Sequence, residues 1–205
     1  MILIGYSGHA FVAYSILKAA GLQVTGYCEA EKKANNPFHL TYYDAELSET
    51  GLKALQQYGF FIAVGDNSAR SKIFEQLASK DLFPVNAIHP SAIIDPSADI
   101  ATKAVMIAAG VIINPLAKIG TGVICNTGCI IEHECEVGDF VHIAPGAVLC
   151  GNVKINERSF VGANAVVKQG VTVGKNVTIG AGAVVIKNIP DFVTVVGVPA
   201  KQQFS

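Results

Sequence analysis

The chain has 205 residues, of which 51% are hydrophobic and only 15% charged, and its formal net charge is −1. This balance offers no basic surface for nucleic acid or an anionic membrane, and no apolar run reaches the roughly 20 residues that a membrane-spanning helix needs. The first residues, Met1 to Gly5, lack the basic and long apolar regions of a signal peptide, so we interpret them as a first strand.

Residues 1–86 predict a small α/β domain made of strand–turn–helix units. Asn67 or Ser68 is expected to cap its last helix. Residues 31–58 have the composition of a mobile or partly helical excursion to which we assign no role. The predicted elements, in chain order, are a strand over Met1 to Ile4, a glycine turn over Gly5 to His9, a helix over Ala10 to Ala20, strands over Val24 to Cys28 and Phe60 to Val64, and a helix ending at Ser79.

Polar residues follow the predicted strands and converge on one edge of the sheet. Ser7, Gly8 and His9 follow the first strand, Glu29 follows the second, and residues 65–67 follow the third. Amides at a helix start favour phosphate, and a carboxylate at the end of a second strand favours ribose hydroxyls. The edge therefore predicts a nucleotide site, although a glycine turn also serves strand-to-helix geometry with no ligand present.

From Ile107 to Ile189 the sequence repeats every six residues without an insertion. The first position of each hexad is aliphatic or cysteine, and the fifth is small or branched. A period of six predicts a β-solenoid in which three hexads close one triangular coil and both positions point into the shaft. Ile88, Ile94 and Ile100 carry the same period upstream, and one extra residue near Met106 shifts it into the main register.

The cysteines of the repeat raise the question of a metal site or a disulfide. Cys125, Cys129 and Cys135 occupy inward positions, so we interpret them as reduced core residues. The histidines of the repeat lack the close pairing in sequence that zinc ligands show, so no metal is predicted.

Two outward features of the repeat suggest chemistry. His133 and Glu134 lie side by side at a corner, and a histidine beside a carboxylate is suited to act as a general base; the alternative is an exposed histidine among solvating acids. Pro145, Ala163 and Ala181, at equivalent positions of successive coils, form a row at another corner. Their small side chains leave the main chain open to an extended molecule such as a pantetheine arm.

Six short motifs occur in a fixed order along the chain. They are the glycine turn at 5–9, Ala-Val-Gly-Asp-Asn at 63–67, Asn-Thr-Gly at 126–128, Glu-His-Glu-Cys at 132–135, Gly-Asn-Val at 151–153 and Gly-Val-Pro-Ala-Lys at 197–201. This ordered set resembles the hexapeptide-repeat sugar acetyltransferases of the bacillosamine and sialic-acid type, the PglD/NeuD-like family. The resemblance implies a small Rossmann-like domain over 1–86, a left-handed parallel β-helix with a C-terminal cap over 87–205, and a homotrimer with active sites between subunits. It also implies acetyl-CoA as donor, no metal, and a cytoplasmic bacterial enzyme.

The resemblance also implies roles for individual residues. His133 matches the general base and Glu134 the residue that raises its basicity. His142 matches the histidine near the acetyl thioester, and Ala163 and Ala181 match positions whose main chain meets CoA. The expected substrate contacts are Ser7, Gly8, His9, Glu29, Ala30 and Gly65, with Asn126 also near the acceptor. Glu29-Ala30 replaces an acidic pair of the bacillosamine enzymes, and residues 31–58 look like an addition.

The predicted reaction is direct transfer of an acetyl group to the 4-amino group of a UDP-linked 4-amino-4,6-dideoxy sugar in surface glycan synthesis. No covalent acyl-enzyme is expected, because the cysteines named above face inward. An alternative is O-acetylation of a sialic acid or another sugar hydroxyl by the same base. A scaffolding protein without catalysis and a metal-dependent hydratase are the other classes considered.

Overall fold

The computed structural model describes residues 1–203 and begins with a four-stranded parallel sheet, whose strands are, in spatial order, Thr41–Tyr42, Gly26–Cys28, Ile2–Ile4 and Phe60–Ile62. Its core includes the stacked rings of Tyr6 and Tyr27, whose centroids are 4.1 Å apart. The predicted strand–turn–helix pattern is present, with shorter strands than expected. The elements are β1 (Ile2–Ile4), α1 (Gly8–Ala19), β2 (Gly26–Cys28), β3 (Thr41–Tyr42), α2 (Glu49–Tyr58), β4 (Phe60–Ile62) and α3 (Asn67–Ala78).

Two expectations for this region are corrected. The cap of α3 is Asp66, whose carboxylate accepts a hydrogen bond from the Ala69 amide at 2.8 Å; the Asn67 side chain instead donates to main-chain carbonyls of the β-helix. The segment 31–58 is partly helical as predicted, but it is not a mobile excursion. It supplies the edge strand β3, which pairs with β2, and the helix α2, whose residues Ala54 and Leu55 are buried.

The hexads fold as predicted into a parallel β-helix whose turns connect three sheets. Face A is the eight-stranded sheet, face B the six-stranded and face C the five-stranded. The strands of face A are β5 (Ala87–Ile88), β8 (Met106–Ile107), β11 (Ile124–Cys125), β14 (His142–Ile143), β17 (Phe160–Val161), β20 (Thr178–Ile179), β22 (Thr194–Val196) and the antiparallel β23 (Lys201–Gln202).

The other two faces have strands of two residues each. Face B contains β6 (Ile93–Ile94), β9 (Ile112–Ile113), β12 (Ile130–Ile131), β15 (Val148–Leu149), β18 (Val166–Val167) and β21 (Val184–Val185). Face C contains β7 (Asp99–Ile100), β10 (Lys118–Ile119), β13 (Glu136–Val137), β16 (Lys154–Ile155) and β19 (Thr172–Val173). We name the turns between faces corner AB, corner BC and corner CA.

Strand pairing confirms the register of the repeat. Ile107 pairs with Cys125, which follows it by three complete hexads. Ile88 pairs with Ile107, which follows it by three hexads and one further residue, so the extra residue lies in the turn before β8. The inward positions from Ile107 to Val185 are buried, including the three cysteines, and those of the first coil are partly buried. Ser159, the one inward hydroxyl of the repeat core, donates to the Gly174 carbonyl at 2.7 Å.

The outward residues make the three faces chemically different. Face A is covered by the N-terminal domain, and its outward residues Met106, Ile124 and His142 are buried. Face C carries the outward series Asp99, Lys118, Glu136, Lys154 and Thr172, which suits solvent. Face B carries only aliphatic residues that are at least partly exposed: Ile93, Ile112, Ile130, Val148, Val166 and Val184. Among residues 1–203, no helix is long and apolar enough to cross a membrane.

Candidate active site

The N-terminal domain and face A enclose a pair of histidines, which we call the buried histidine site (His9, Gly65, Asn126 and His142). The ring centroids of His9, at the start of α1, and His142, in β14, are 5.9 Å apart. His142 is only 8% exposed, and Phe160 packs edge-on against its ring at 5.1 Å. The site thus lies where the strand ends of the first domain meet the β-helix.

Hydrogen bonds define the state of the His142 ring. The side-chain amide nitrogen of Asn126 lies 3.1 Å from Nε2 of His142, and the Asn126 oxygen accepts from the Thr127 amide. Because an amide nitrogen only donates, Nε2 is the acceptor and the proton belongs on Nδ1. The main chain of Gly65 also interacts with the ring and acts against the lowering of its pKa. His142 is therefore held as a neutral imidazole in one tautomer.

Burial keeps both histidines neutral near physiological pH. Burial first, and then the positive charge of Arg70 and the nearby His9, lower the pKa of His142 from 6.5 to about 3. The pKa of His9 falls to about 4 by burial and by the charge of Arg70. Nε2 of His9 is buried and has no hydrogen-bond partner within residues 1–203, so a ligand at this point would meet an unused polar atom.

Arg70 joins the two domains beside this site, a contact that sequence reasoning missed. Its guanidinium is 1% exposed and has no carboxylate partner among its hydrogen bonds, and burial lowers its pKa to about 9, so it remains charged at neutral pH. The sequence around it is polar, and no periodic signal distinguishes a buried arginine there. Its acceptors are the carbonyls of Val64, Gly65, Gly122 and Phe140 and the side-chain oxygen of Asn67.

The predicted nucleotide edge is assembled around the glycine turn. Ser7 begins α1 without a side-chain cap bond, and Ser7 and Gly8 are both exposed. The Glu29 carboxylate accepts a hydrogen bond from the Tyr6 amide at 3.0 Å, which holds it beside the turn, and exposed Ala30 follows it. The edge thus combines free amides at a helix start with a carboxylate.

The row of Pro145, Ala163 and Ala181 lies at corner AB and extends from the buried histidine site toward the C-terminal coils. Consecutive coils are joined by bonds from the Asn164 amide to the Pro145 carbonyl and from the Gly182 amide to the Ala163 carbonyl. The amides of Ala163 and Ala181 donate to no other group within the described part of the chain. They form a ladder of available donors for an extended ligand with carbonyl acceptors.

The second predicted feature, which we call the exposed histidine corner (His133, Glu134 and Gly151), lies at corner BC. Nδ1 of His133 is 3.0 Å from the Glu134 carboxylate, and the His133 side chain is 50% exposed. The ring lies over Gly151, where an added Cβ would come within 2.5 Å of the ring atoms. The carboxylate can fix the tautomer and stabilise a charged ring, as a general base requires.

One chain does not bring the two histidine sites together. The buried site is at face A and corner AB, and His133 is at corner BC on the other side of face B. Both sites are built on a rigid shaft whose coils are hydrogen-bonded to one another, so no flexible segment can carry one histidine to the other. Within residues 1–203 there is also no cluster of three or more histidine, cysteine or acidic side chains that could hold a metal.

Comparisons with known proteins identify both parts of the chain. The family described as PglD N-terminal domain matches residues 1–77, and the bacterial transferase hexapeptide family, with six repeats, matches residues 152–187. The first match runs through residues 31–58 and agrees with their place in the sheet. The expectation that this segment is an addition is therefore wrong.

Solved structures match over nearly the whole chain. PerB from Caulobacter crescentus, solved in complex with CoA and GDP-perosamine, is 36% identical with a TM-score of 0.91, over 99% of this chain and 96% of that one. The acetyltransferase domain of PglB from Neisseria gonorrhoeae FA1090, in complex with acetyl coenzyme A, is 34% identical with a TM-score of 0.91, over 98% of both chains.

A curated relative matches a shorter part. The GDP-perosamine N-acetyltransferase of Escherichia coli O157:H7 is 32% identical over 115 residues, which span 53% of this chain and 48% of the relative. The full-length structural matches share the α/β domain followed by a left-handed parallel β-helix. Because the two solved relatives, at 36% and 34% identity, are covered almost completely, the chain belongs to the PglD-like family of hexapeptide-repeat sugar acetyltransferases.

Proposed function

We propose that the protein transfers an acetyl group from acetyl-CoA to the amino group of a nucleotide-linked sugar. The observation that carries this proposal is the convergence of two binding features on His142: the nucleotide edge, ending at His9 and Gly65, and the amide row of Ala163 and Ala181. One feature suits a sugar nucleotide and the other a pantetheine arm, so donor and acceptor would meet at the buried histidine site.

The chemistry follows from the state of the side chains. The thioester carbonyl would lie near His142 and Asn126, with its pantetheine arm along corner AB. His133 takes a proton from the acceptor amine as the nitrogen attacks the acetyl carbon, the C–S bond breaks, and CoA leaves as a thiolate that is then protonated. Glu134 orients His133 and stabilises the imidazolium that forms.

The thiols of the chain favour direct transfer over an acyl-enzyme. The pKa of Cys125 is raised well above its ordinary value by its hydrogen bond with Cys129 and by burial. Burial likewise raises the pKa of Cys135 to about 11. Protonated, inward-facing thiols are poor nucleophiles, so the sugar amine attacks the thioester itself.

A second copy of the chain is needed to complete this site, and face B is the surface that would recruit it. A continuous stripe of partly exposed isoleucine and valine is typical of an interaction surface. If three copies pack face B around an axis parallel to the shaft, corner BC of each copy meets corner AB of its neighbour. This closed arrangement, a homotrimer, brings His133 of one copy to His142 of the next.

The proposal also specifies which nucleotide carries the acceptor sugar. The sequence predicts a UDP-linked 4-amino-4,6-dideoxy sugar, whereas a relative that matches over its full length was solved with GDP-perosamine. We place a GDP-linked amino sugar first and the UDP-linked sugar second. Sialic acid O-acetylation has weaker support, because the named acceptor of these relatives is a nucleotide-linked amino sugar.

The test is a panel of acceptors with purified protein and acetyl-CoA, following release of the CoA thiol. Release with GDP-perosamine or with the UDP-linked amino sugar alone would establish N-acetyl transfer and identify the nucleotide, with product mass confirming one added acetyl group. Release only with sialic acid would move the assignment to O-acetylation. Silence with all acceptors would reject the proposed acetyl transfer to these classes.

A further inference from the structure

Leu116, at corner BC, is an apolar residue with an exposed side chain. It lies one coil below Glu134, its side chain is 58% exposed, and its backbone has a φ of 62°. A leucine in the left-handed region is unfavourable, and the equivalent positions in the next coils, Glu134, Asn152 and Gly170, are polar or glycine. The positive φ belongs to the turn itself, since Glu134 and Asn152 share it, so what distinguishes Leu116 is an exposed apolar side chain in a row that is otherwise polar or glycine.

A cleft of complementary character lies at corner AB. It is formed between α1 and the β-helix below the buried histidine site and has a volume of about 370 Å³. Val12, one of its residues, is among the exposed large apolar side chains. Its lining is Phe11, Val12, Ser15, Ile16, His89, Ala108, Ala109 and Thr127.

The heights of the two features along the shaft agree. The chain climbs one strand spacing, about 4.8 Å, in each coil of three hexads, and rotation about an axis parallel to the shaft keeps every residue at its own height. Residue 116 then lies between Ala109 and Thr127, the two levels of corner AB that line the cleft. Glu134, one coil later, lies in the same way between Thr127 and Pro145, and these two residues also flank the level of His142.

We propose that Leu116 of one copy inserts into the cleft beside α1 of the next copy and fixes the register that places His133 at the buried histidine site. This inference rests on the proposed function and its trimer. Face B supplies most of the apolar contact, but its uniform stripe of isoleucine and valine permits sliding along the shaft by one coil. A single side chain in a bounded cleft removes that freedom, so Leu116 is a positioning residue.

The first experiment replaces Leu116 with asparagine, which tolerates a positive φ and already occupies the equivalent position 152. In sedimentation velocity over a dilution series, we expect the trimer of Leu116→Asn to dissociate at a concentration at least about tenfold higher than wild type. Acetyl transfer at low enzyme concentration should fall by a similar factor and recover when the concentration is raised. A trimer and an activity unchanged on dilution would overturn the inference.

The matched control is Phe192→Asn. Phe192 is 75% exposed and also has a positive φ of 60°, but it lies beside α3, away from corners AB and BC. It should sediment and turn over as wild type does. Loss of the trimer in this control as well would mean that removal of any exposed apolar residue weakens assembly, and that Leu116 has no special place.

A second experiment tests the contact itself and does not depend on activity. In the double variant Val12→Cys with Leu116→Cys, oxidation by diamide should join the new thiols of neighbouring copies, with two electrons and two protons passing to the diamide. Disulfide-linked dimers and trimers are expected on a non-reducing gel, and monomers for each single variant. Monomers throughout would overturn the inference. A cross-linked trimer without acetyl transfer would reject only the proposed function.

Discussion

The exposed histidine corner and the buried histidine site place the same side chain in opposite environments. His133 is half exposed and lies 3.0 Å from a carboxylate. His142 is almost fully buried, contacts an amide and a phenyl ring, and has its pKa lowered to about 3. The first ring is open to solvent and can be oriented by its carboxylate, whereas burial holds the second ring neutral. The proposed general base is thus the exposed histidine, and the buried one is a fixed, neutral hydrogen-bonding group.

The difference in burial between the two histidines arises from the N-terminal domain and not from the hexapeptide repeat. Both histidines point outward from the shaft, His142 from a strand of face A and His133 from a turn. Face A is covered by the N-terminal domain, which brings Arg70 and His9 to His142, whereas corner BC is left open. Outward positions of one scaffold therefore become buried or stay exposed according to what packs over them.

The largest effect is expected from removing the exposed histidine. His133→Ala should lower turnover by roughly 10³-fold, since a positioned general base typically contributes 10²–10⁴-fold, while the affinity for acetyl-CoA stays unchanged. Steady-state kinetics and calorimetric titration of CoA would measure the two effects separately. His39→Asn, at an exposed histidine of the N-terminal domain with a positive φ, is the control and should be fully active. Near-normal turnover in His133→Ala would exclude it as the base.

The next effect tests the contact that creates the buried site. Arg70→Met removes all five guanidinium hydrogen bonds and leaves buried carbonyls such as those of Gly122 and Phe140 without a donor. The free energy of unfolding should fall by about 3 kcal/mol or more, because each unsatisfied buried acceptor costs about 1–3 kcal/mol. Urea denaturation would measure the change. Lys72→Met, on the exposed side of the same helix, should leave stability nearly unchanged.

Stability equal to wild type in Arg70→Met would show that water replaces the guanidinium at no cost. Loss of stability together with weaker binding of the sugar nucleotide, at unchanged CoA affinity, is the expected pattern. This pattern follows from the proposed function, in which Gly65, a carbonyl partner of Arg70, contacts the acceptor and the amide row on the β-helix binds CoA.

These two regions also differ in how far the sequence predicts them. The corner that holds His133 follows from counting hexads, since a fixed period assigns every residue of 107–189 to the shaft or to the outside. The shift between Ile88 and Ile107 is equally visible in the sequence and is confirmed by strand pairing. The roles of the site residues remain predictions, but their positions on the β-helix needed only local information.

The buried site depends on contacts between distant residues, which periodicity does not encode. Arg70 is buried by acceptors 52 and 70 residues further along the chain. Asn67 was expected to cap α3, but its amide is used in bonds to residues 158 and 159, and Asp66 takes the cap. Strand β3 has only two residues, too few for a strand pattern, so its place in the sheet was not predicted.

The third test measures how the stability of the protein depends on pH, because the buried site contains two histidines with lowered pKa values. In the unfolded chain His142 titrates near 6.5, whereas in the folded protein its pKa is about 3 and that of His9 about 4. Between these values the unfolded state binds more protons, so stability falls as the pH drops below 6.5. At pH 5 the loss should be about 2 kcal/mol for each buried histidine.

Replacing His142 with glutamine removes one of these titrating groups while keeping a polar side chain beside Asn126. Urea denaturation at pH 7 and pH 5 should therefore show that His142→Gln loses about 2 kcal/mol less on acidification than wild type does, whatever its stability at pH 7. Because the free energy of unfolding at pH 5 is compared with that at pH 7 for the same protein, a change in packing caused by the substitution does not affect the result. Equal acid sensitivity in the two proteins would mean that His142 takes up a proton in the folded state, and that the buried site is more open to water than its geometry indicates.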